Sequence, residues 1–207
     1  ERDVLEMIYV NIGGIYSTRK NYEKAKEYYF NALQSSNISD NAMVKETALI
    51  NLGHLYLFTG FTQLAKKYYE EALCLQREHS FVRGMCSSYR GLGEVNIKLQ
   101  KFEVAREYLD KAGEIAAMNN FTEINKEIEF SYSVLFYQTG DFKRSMDHLQ
   151  RYYQIKDSLS NAIVSKQISA VESKYEKERL EKEILLLKTQ KELNDSKIYE
   201  QRKWLIW

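Results

Sequence analysis

Proline is absent from this chain, and glycine is sparse, with 9 in 207 residues. Sandwiches and barrels spend both residues on their many turns, so the composition favours long helices. Charge of one sign is also missing: the formal net charge is +1. Without a basic excess the electrostatic term that dominates nucleic-acid binding is lacking, so nucleic acid is not expected as a partner of this segment. Cysteine is limited to Cys74 and Cys86, with no CxxC and no Cys/His cluster. Both are read as small, buried apolar residues at helix ends. A disulfide between them needs Cα atoms within about 7 Å, which leaves that pairing and the redox compartment open. The three histidines, His54, His79 and His148, show no metal-ligand spacing. No metal or cofactor is expected. No apolar run reaches the length of a membrane span. Glu1 opens directly into a helical pattern, so no leader peptide is expected there.

What the chain does have is tyrosine, 16 in all, and a repeat. Asn11-Ile12-Gly13-Gly14-Ile15-Tyr16 aligns with Asn51-Leu52-Gly53-His54-Leu55-Tyr56 forty residues later. Gly91-Leu92-Gly93-Glu94-Val95-Asn96 and Ser131-Tyr132-Ser133-Val134-Leu135-Phe136 follow at the same interval. The second half of each unit keeps step. Small residues recur at Ala25, Ala65, Ala105 and Ser145, and again at Ala32, Ala72 and Ala112, with Tyr152 breaking the last set. Large residues fall between them at Tyr29, Tyr69, Leu109 and Leu149.

Within each half, apolar residues return every three or four positions, the spacing of an amphipathic helix. Small residues let two antiparallel helices approach, and Tyr, Phe and Leu fill the grooves between them. Gly60 and Gly140 stand where the first helix of a pair must stop. Most of the tyrosine is thereby assigned to packing between helices.

These residues resemble the tetratricopeptide-repeat (TPR) pattern, with Tyr9, Leu49 and Tyr89 where that family often has Trp. The resemblance implies an all-α fold, a right-handed superhelix of four helix-turn-helix repeats at about 3–40, 41–80, 81–120 and 121–158. The period of forty exceeds the usual thirty-four, and the proline that closes each repeat is missing. Longer, proline-free repeats of this kind resemble those of kinesin light chains and of bacterial peptide-sensing regulators. The fourth copy departs most, with Ser133 and Ser145 in place of Gly and Ala.

Residues 159–207 read as a capping and coiled-coil-like helix. Val164, Ile168, Val171 and Tyr175 step by four, three and four residues, and Leu180, Ile184 and Leu187 resume at coiled-coil spacing after a five-residue step. Charged residues fill most places between. A helix this polar and this long needs its seam covered, by the fourth repeat for its first part and by a second copy for the rest. The stretch Ser173-Lys174-Tyr175-Glu176-Lys177-Glu178, continuing through Glu183-Ile184-Leu185-Leu186-Leu187, resembles the linker of Bacteroidetes-type TPR-containing sensor histidine kinases and helix-turn-helix regulators. That resemblance implies a parent protein anchored in the bacterial inner membrane, with the repeats on the periplasmic side and a kinase or DNA-binding domain inside. Arg202-Lys203-Trp204-Leu205-Ile206-Trp207 then reads as the membrane entry, with Trp204 and Trp207 at the interface. Without the resemblance, the localisation is cytoplasmic.

No catalytic set emerges. Glu94 and the carboxylates of the last helix lie in charge-mixed surroundings with no paired acid and base. Gly13-Gly14 and Gly91-Leu92-Gly93 are helix-packing glycines rather than phosphate loops, because no strand precedes them. A TPR-type phosphatase would need its carboxamide or acid on a separate helical bundle, and none is evident. The expected site is a partner-binding groove on the inner face of the first helices: Asn11, Asn51, His54, Phe58, Arg90, Glu94 and Lys98. In TPR proteins that bind extended peptides, Asn at the place of Asn11 and Asn51 holds the ligand backbone through its amide. Gly91 and Ser131 interrupt that ladder in the later copies. The expected function is a protein- or peptide-binding sensory module that signals through a helix-paired homodimer. The alternative is a scaffold or cytoplasmic peptide-responsive regulator with no membrane link.

Overall fold

Seven connections of one geometry punctuate the chain at twenty-residue intervals. Lys20, Asp40, Gly60, Ser80, Gln100, Asn120 and Gly140 all adopt positive φ, between 54° and 88°. After each, the next backbone N–H reaches back to a carbonyl of the preceding helix. Asn21 donates to Tyr16 at 2.9 Å, Phe61 to Tyr56 at 2.8 Å, Lys101 to Asn96 at 2.9 Å and Asp141 to Phe136 at 2.9 Å. This is the Schellman closure, which satisfies carbonyls that a helix end leaves open. Glycine was expected to stop helices at Gly60 and Gly140, and it does. The other five turns force a side chain into the left-handed region, a cost that the repeated hydrogen bonds offset.

The computed structural model describes the backbone of residues 2–204 and the side chains of residues 5–161, 173, 176, 177 and 179–191. Between the turns lie α1 (Arg2–Thr18), α2 (Tyr22–Ser39), α3 (Ala42–Phe58), α4 (Thr62–Glu78), α5 (Val82–Lys98), α6 (Phe102–Met118), α7 (Thr122–Gln138) and α8 (Phe142–Trp204). The described residues contain no strand. Two compact units divide the chain, Glu1–Lys156 and Asp157–Trp207. The first is a stack of consecutive helix-turn-helix repeats; the second is helical to Trp204.

The packing follows the small and large series. Ala25, Ala65, Ala105, Ala32, Ala72 and Ala112 are fully buried. Tyr29, Tyr69 and Leu109 press onto Gly13, Gly53 and Gly93, where an added Cβ would stand 2.5, 2.7 and 2.7 Å from the neighbouring side chain. Tyr69 is enclosed from both sides, because a Cβ on Gly91 would lie 2.4 Å from its ring. In the fourth copy Ser145 replaces alanine and stays buried by donating to the Ser133 carbonyl at 2.8 Å.

Other aromatic side chains stack between paired helices. Tyr16–Tyr28 and Tyr56–Tyr68 lie 5.5 and 5.4 Å apart, and Phe136–His148 repeats the contact at 5.2 Å. Cys86 is buried as expected, but Cys74 is exposed, and both are free thiols. The repeat gives the reason: forty residues either side of Cys74 stand Gln34 and Glu114, both on the exposed face of their helices.

Candidate functional groove

The C-terminal halves of α1, α3, α5 and α7 wall a groove of about 1090 Å³. Repeat-matched positions build it. His54, Glu94 and Val134 form one row, and Thr18, Phe58, Lys98 and Gln138 form another one turn further along. Ile97, Phe130 and Phe102 add apolar wall, while Lys20, Tyr22 and Gln100 reach in from the turns. Phe58 is 70% exposed, a large apolar ring that the fold leaves uncovered.

A satisfied polar network ties the wall to the residues behind it. Tyr69 Oη is 2.8 Å from His54 Nδ1. Burial holds the Tyr69 phenol in its protonated form, with the Glu94 carboxylate adding to the effect. Burial, and then the positive charge of Arg90, push the His54 imidazole down to about 3, so the ring is neutral. Among the described residues the Tyr69 hydroxyl has no other acceptor, so it donates to Nδ1 and leaves the ring proton on Nε2. Arg90 forms an ion pair with Glu94 four residues on, and Ser131 Oγ donates to Glu94 Oε1 at 2.7 Å. The charge of Glu94 is thus spoken for, which leaves Lys20 and Lys98 as the basic groups facing the groove.

Of the residues expected from sequence, His54, Phe58, Glu94 and Lys98 share this groove. Arg90 stands behind it, paired to Glu94. Asn11 is exposed and Asn51 half-buried, and neither is among the groove walls. Sequence reasoning passed over Phe130, Val134, Gln138, Phe102 and Tyr22. The signal was available, since two forty-residue steps carry His54 to Val134, Phe58 to Gln138 and Tyr22 to Phe102.

In the second unit, Leu180, Ile184 and Leu187 are exposed, and so are Leu185 and Leu186. Four consecutive large aliphatics encircle a helix, since each residue turns it by 100°, so the apolar surface is a girdle wider than the expected seam. The side chains of Ile168, Val171 and Tyr175 lie outside the described residues, as do those of Arg202–Trp207. Among the described residues, no group of acidic, His and Cys side chains gathers to hold a metal. No described helix is long and apolar enough to cross a membrane.

Residues 4–78 match the family described as tetratricopeptide repeat. No curated protein sequence matches the chain. Solved structures that share its fold include three with TM-scores above 0.5. BtubC (BKLC) from P. vanneervenii matches 77% of this chain at 20% identity and a TM-score of 0.62. The apo form of RapI matches 75% at 17% identity and 0.61, and aspartyl phosphate phosphatase F from Bacillus subtilis 73% at 13% and 0.56. The chain spans 66%, 57% and 49% of their respective lengths.

Proposed function

We propose that this tetratricopeptide-repeat superhelix is a non-catalytic binding module that takes an extended peptide or protein segment into its groove. The observation that carries the reading is the contrast between the apolar and the polar residues of the wall. Phe58, Phe130 and Val134 offer apolar contact, while the polar wall residues His54, Glu94 and Ser131 are already hydrogen-bonded, His54 to Tyr69 behind it and Glu94 to Arg90 and Ser131. A pre-formed, internally satisfied surface loses little on binding, whereas a catalytic site needs unpaired, poised groups. Lys20 and Lys98 favour a partner with carboxylates beside its apolar anchor.

The finer reading is a sensory module of a membrane-bound signalling protein. The resemblance of residues 173–187 to a kinase linker supports it, and so does the apolar girdle Ile184–Leu187, which needs a cover. On this reading, partner binding favours one packing of the helix pairs and so biases how the C-terminal helices of two copies associate. The test is to replace Phe58 with Ala and Lys98 with Glu and to measure retention of the natural partner on the immobilised chain. Loss of retention with an unchanged melting curve supports the groove. Undiminished retention by the double variant removes the groove from the function.

A further inference from the structure

We infer that the outward face of α1 is an interior repeat interface, covered by a further helix pair of this repeat that the same polypeptide supplies ahead of residue 1. The inference is independent of what the groove binds. It comes from comparing two positions in four copies. Ala48, Ser88 and Ile128 are at most 1% exposed, and Leu55, Val95 and Leu135 at most 4%. Their equivalents in the first copy, Ile8 and Ile15, are 43% and 51% exposed. Leu5, on the same face, is 44% exposed.

In the later copies the cover comes from the second helix of the preceding repeat. Ala25 and Tyr29 of α2 cluster with Leu52 and Leu55, and Ala65 and Tyr69 of α4 with Leu92 and Val95. Ala105 and Leu109 of α6 cluster with Leu135. A helix that ends a repeat array carries a polar outer face, because nothing stacks on it. Here α1 keeps the residue types of an internal helix: Ile8 and Ile15 are as large and apolar as Ile128 and Leu135. The covering helix must then present the same small–large–small series, at places forty residues ahead of Ala25, Tyr29 and Ala32.

A second copy of the chain offers a poorer match. The faces of α2, α4 and α6 that fit this surface are already occupied by α3, α5 and α7. The corresponding place on α8 carries Tyr152 where the covering helices have Ala32, Ala72 and Ala112.

The test compares residues 1–207 with the same protein extended to include the residues its gene encodes ahead of Glu1. A thiol is placed at Ile8→Cys, and separately at the exposed Asn11→Cys, in a Cys74→Ser background, and its alkylation rate is measured. The expected result is the small–large–small series in the added segment and a rate at least tenfold lower at both positions. Three outcomes overturn the inference: no such series, equal rates in the two proteins, or protection in residues 1–207 alone that grows with protein concentration, which would make a second copy the cover.

Discussion

The hydroxyl of Tyr69 and Nδ1 of His54, fifteen residues apart in sequence, meet at 2.8 Å between α4 and α3. The contact joins the two purposes of the fold at one atom pair. Tyr69 is the fully buried residue that locks α4 onto Gly53 and Gly91, and His54 is a wall of the groove. A change in helix packing therefore reaches the groove directly.

Tyr69→Phe removes the donor and strands a neutral imidazole nitrogen. It is expected to cost about 1–2 kcal/mol in chemical denaturation, the penalty of one unsatisfied, partly buried polar group. Gly91→Ala should cost at least as much, about 1–3 kcal/mol, because its Cβ overlaps the Tyr69 ring. Combining Gly91→Ala with Tyr69→Leu should recover part of that loss, since the clash and the ring are one interaction.

The neutral His54 makes stability depend on pH with a defined sign. Its folded value, about 3, lies below the unfolded value near 6.5. As pH falls below 6.5 the unfolded chain takes up a proton that the folded ring refuses. The His54 contribution is therefore complete above that value and drains away at up to about 1.4 kcal/mol per pH unit toward acid. His54→Asn should flatten this slope between pH 6.5 and 4.5, read as the difference between the two proteins' denaturation midpoints. Parallel curves would show that His54 is not the group responsible.

Glu46 behaves in the opposite sense. It is buried, burial holds its carboxyl above the ordinary carboxylate range, and Gln76 Nε2 donates to it at 3.1 Å. Its folded state resists ionisation, so it opposes folding once pH exceeds the unfolded value. Glu46→Gln should raise stability at pH 7 and lose that advantage toward pH 4.

The turns give a prediction that needs no ligand. Lys20 and Gln100 hold φ of 60° and 58° at positions equivalent to Gly60 and Gly140. Lys20→Gly and Gln100→Gly should each stabilise the array by about 0.5–1 kcal/mol, and Gly60→Ala should destabilise it by about 1 kcal/mol. Melting curves of the single variants decide the matter.

Much of this was legible in the sequence because a repeat reports its own geometry. Ala25, Ala65 and Ala105 could only be a helix contact, and Tyr29 and Tyr69 could only be its filling. The five turns without glycine were not legible. Lys20, Asp40, Ser80, Gln100 and Asn120 share no side-chain chemistry, and what holds them is a backbone hydrogen bond. The groove was half legible. Helical spacing points to His54 and Glu94, with Phe58 and Lys98 as their neighbours, whereas Asn11 and Asn51 rest on resemblance, and the structure sets them apart from the groove walls. Coiled-coil spacing selects Leu180, Ile184 and Leu187 and discounts Leu185 and Leu186 between them, which are exposed as well.

The exposed girdle predicts self-association through the C-terminal helix. A cysteine at Ile184 should form an intermolecular disulfide under mild oxidation in a Cys74→Ser background, and Leu185→Glu with Leu186→Glu should weaken it. A chain that stays monomeric at high concentration, with no cross-link at Ile184, removes helix pairing from the mechanism.

The central claim is that the groove of the first helices is the partner-binding surface. It is tested most directly by placing a photo-activated cross-linking residue at Phe58 and, as a control, at Met118, which is 81% exposed and outside the groove. Irradiation in the native host should join one discrete protein or peptide to the Phe58 position and leave the Met118 position unlabelled. The same adducts at both positions, or none at Phe58, would contradict the account.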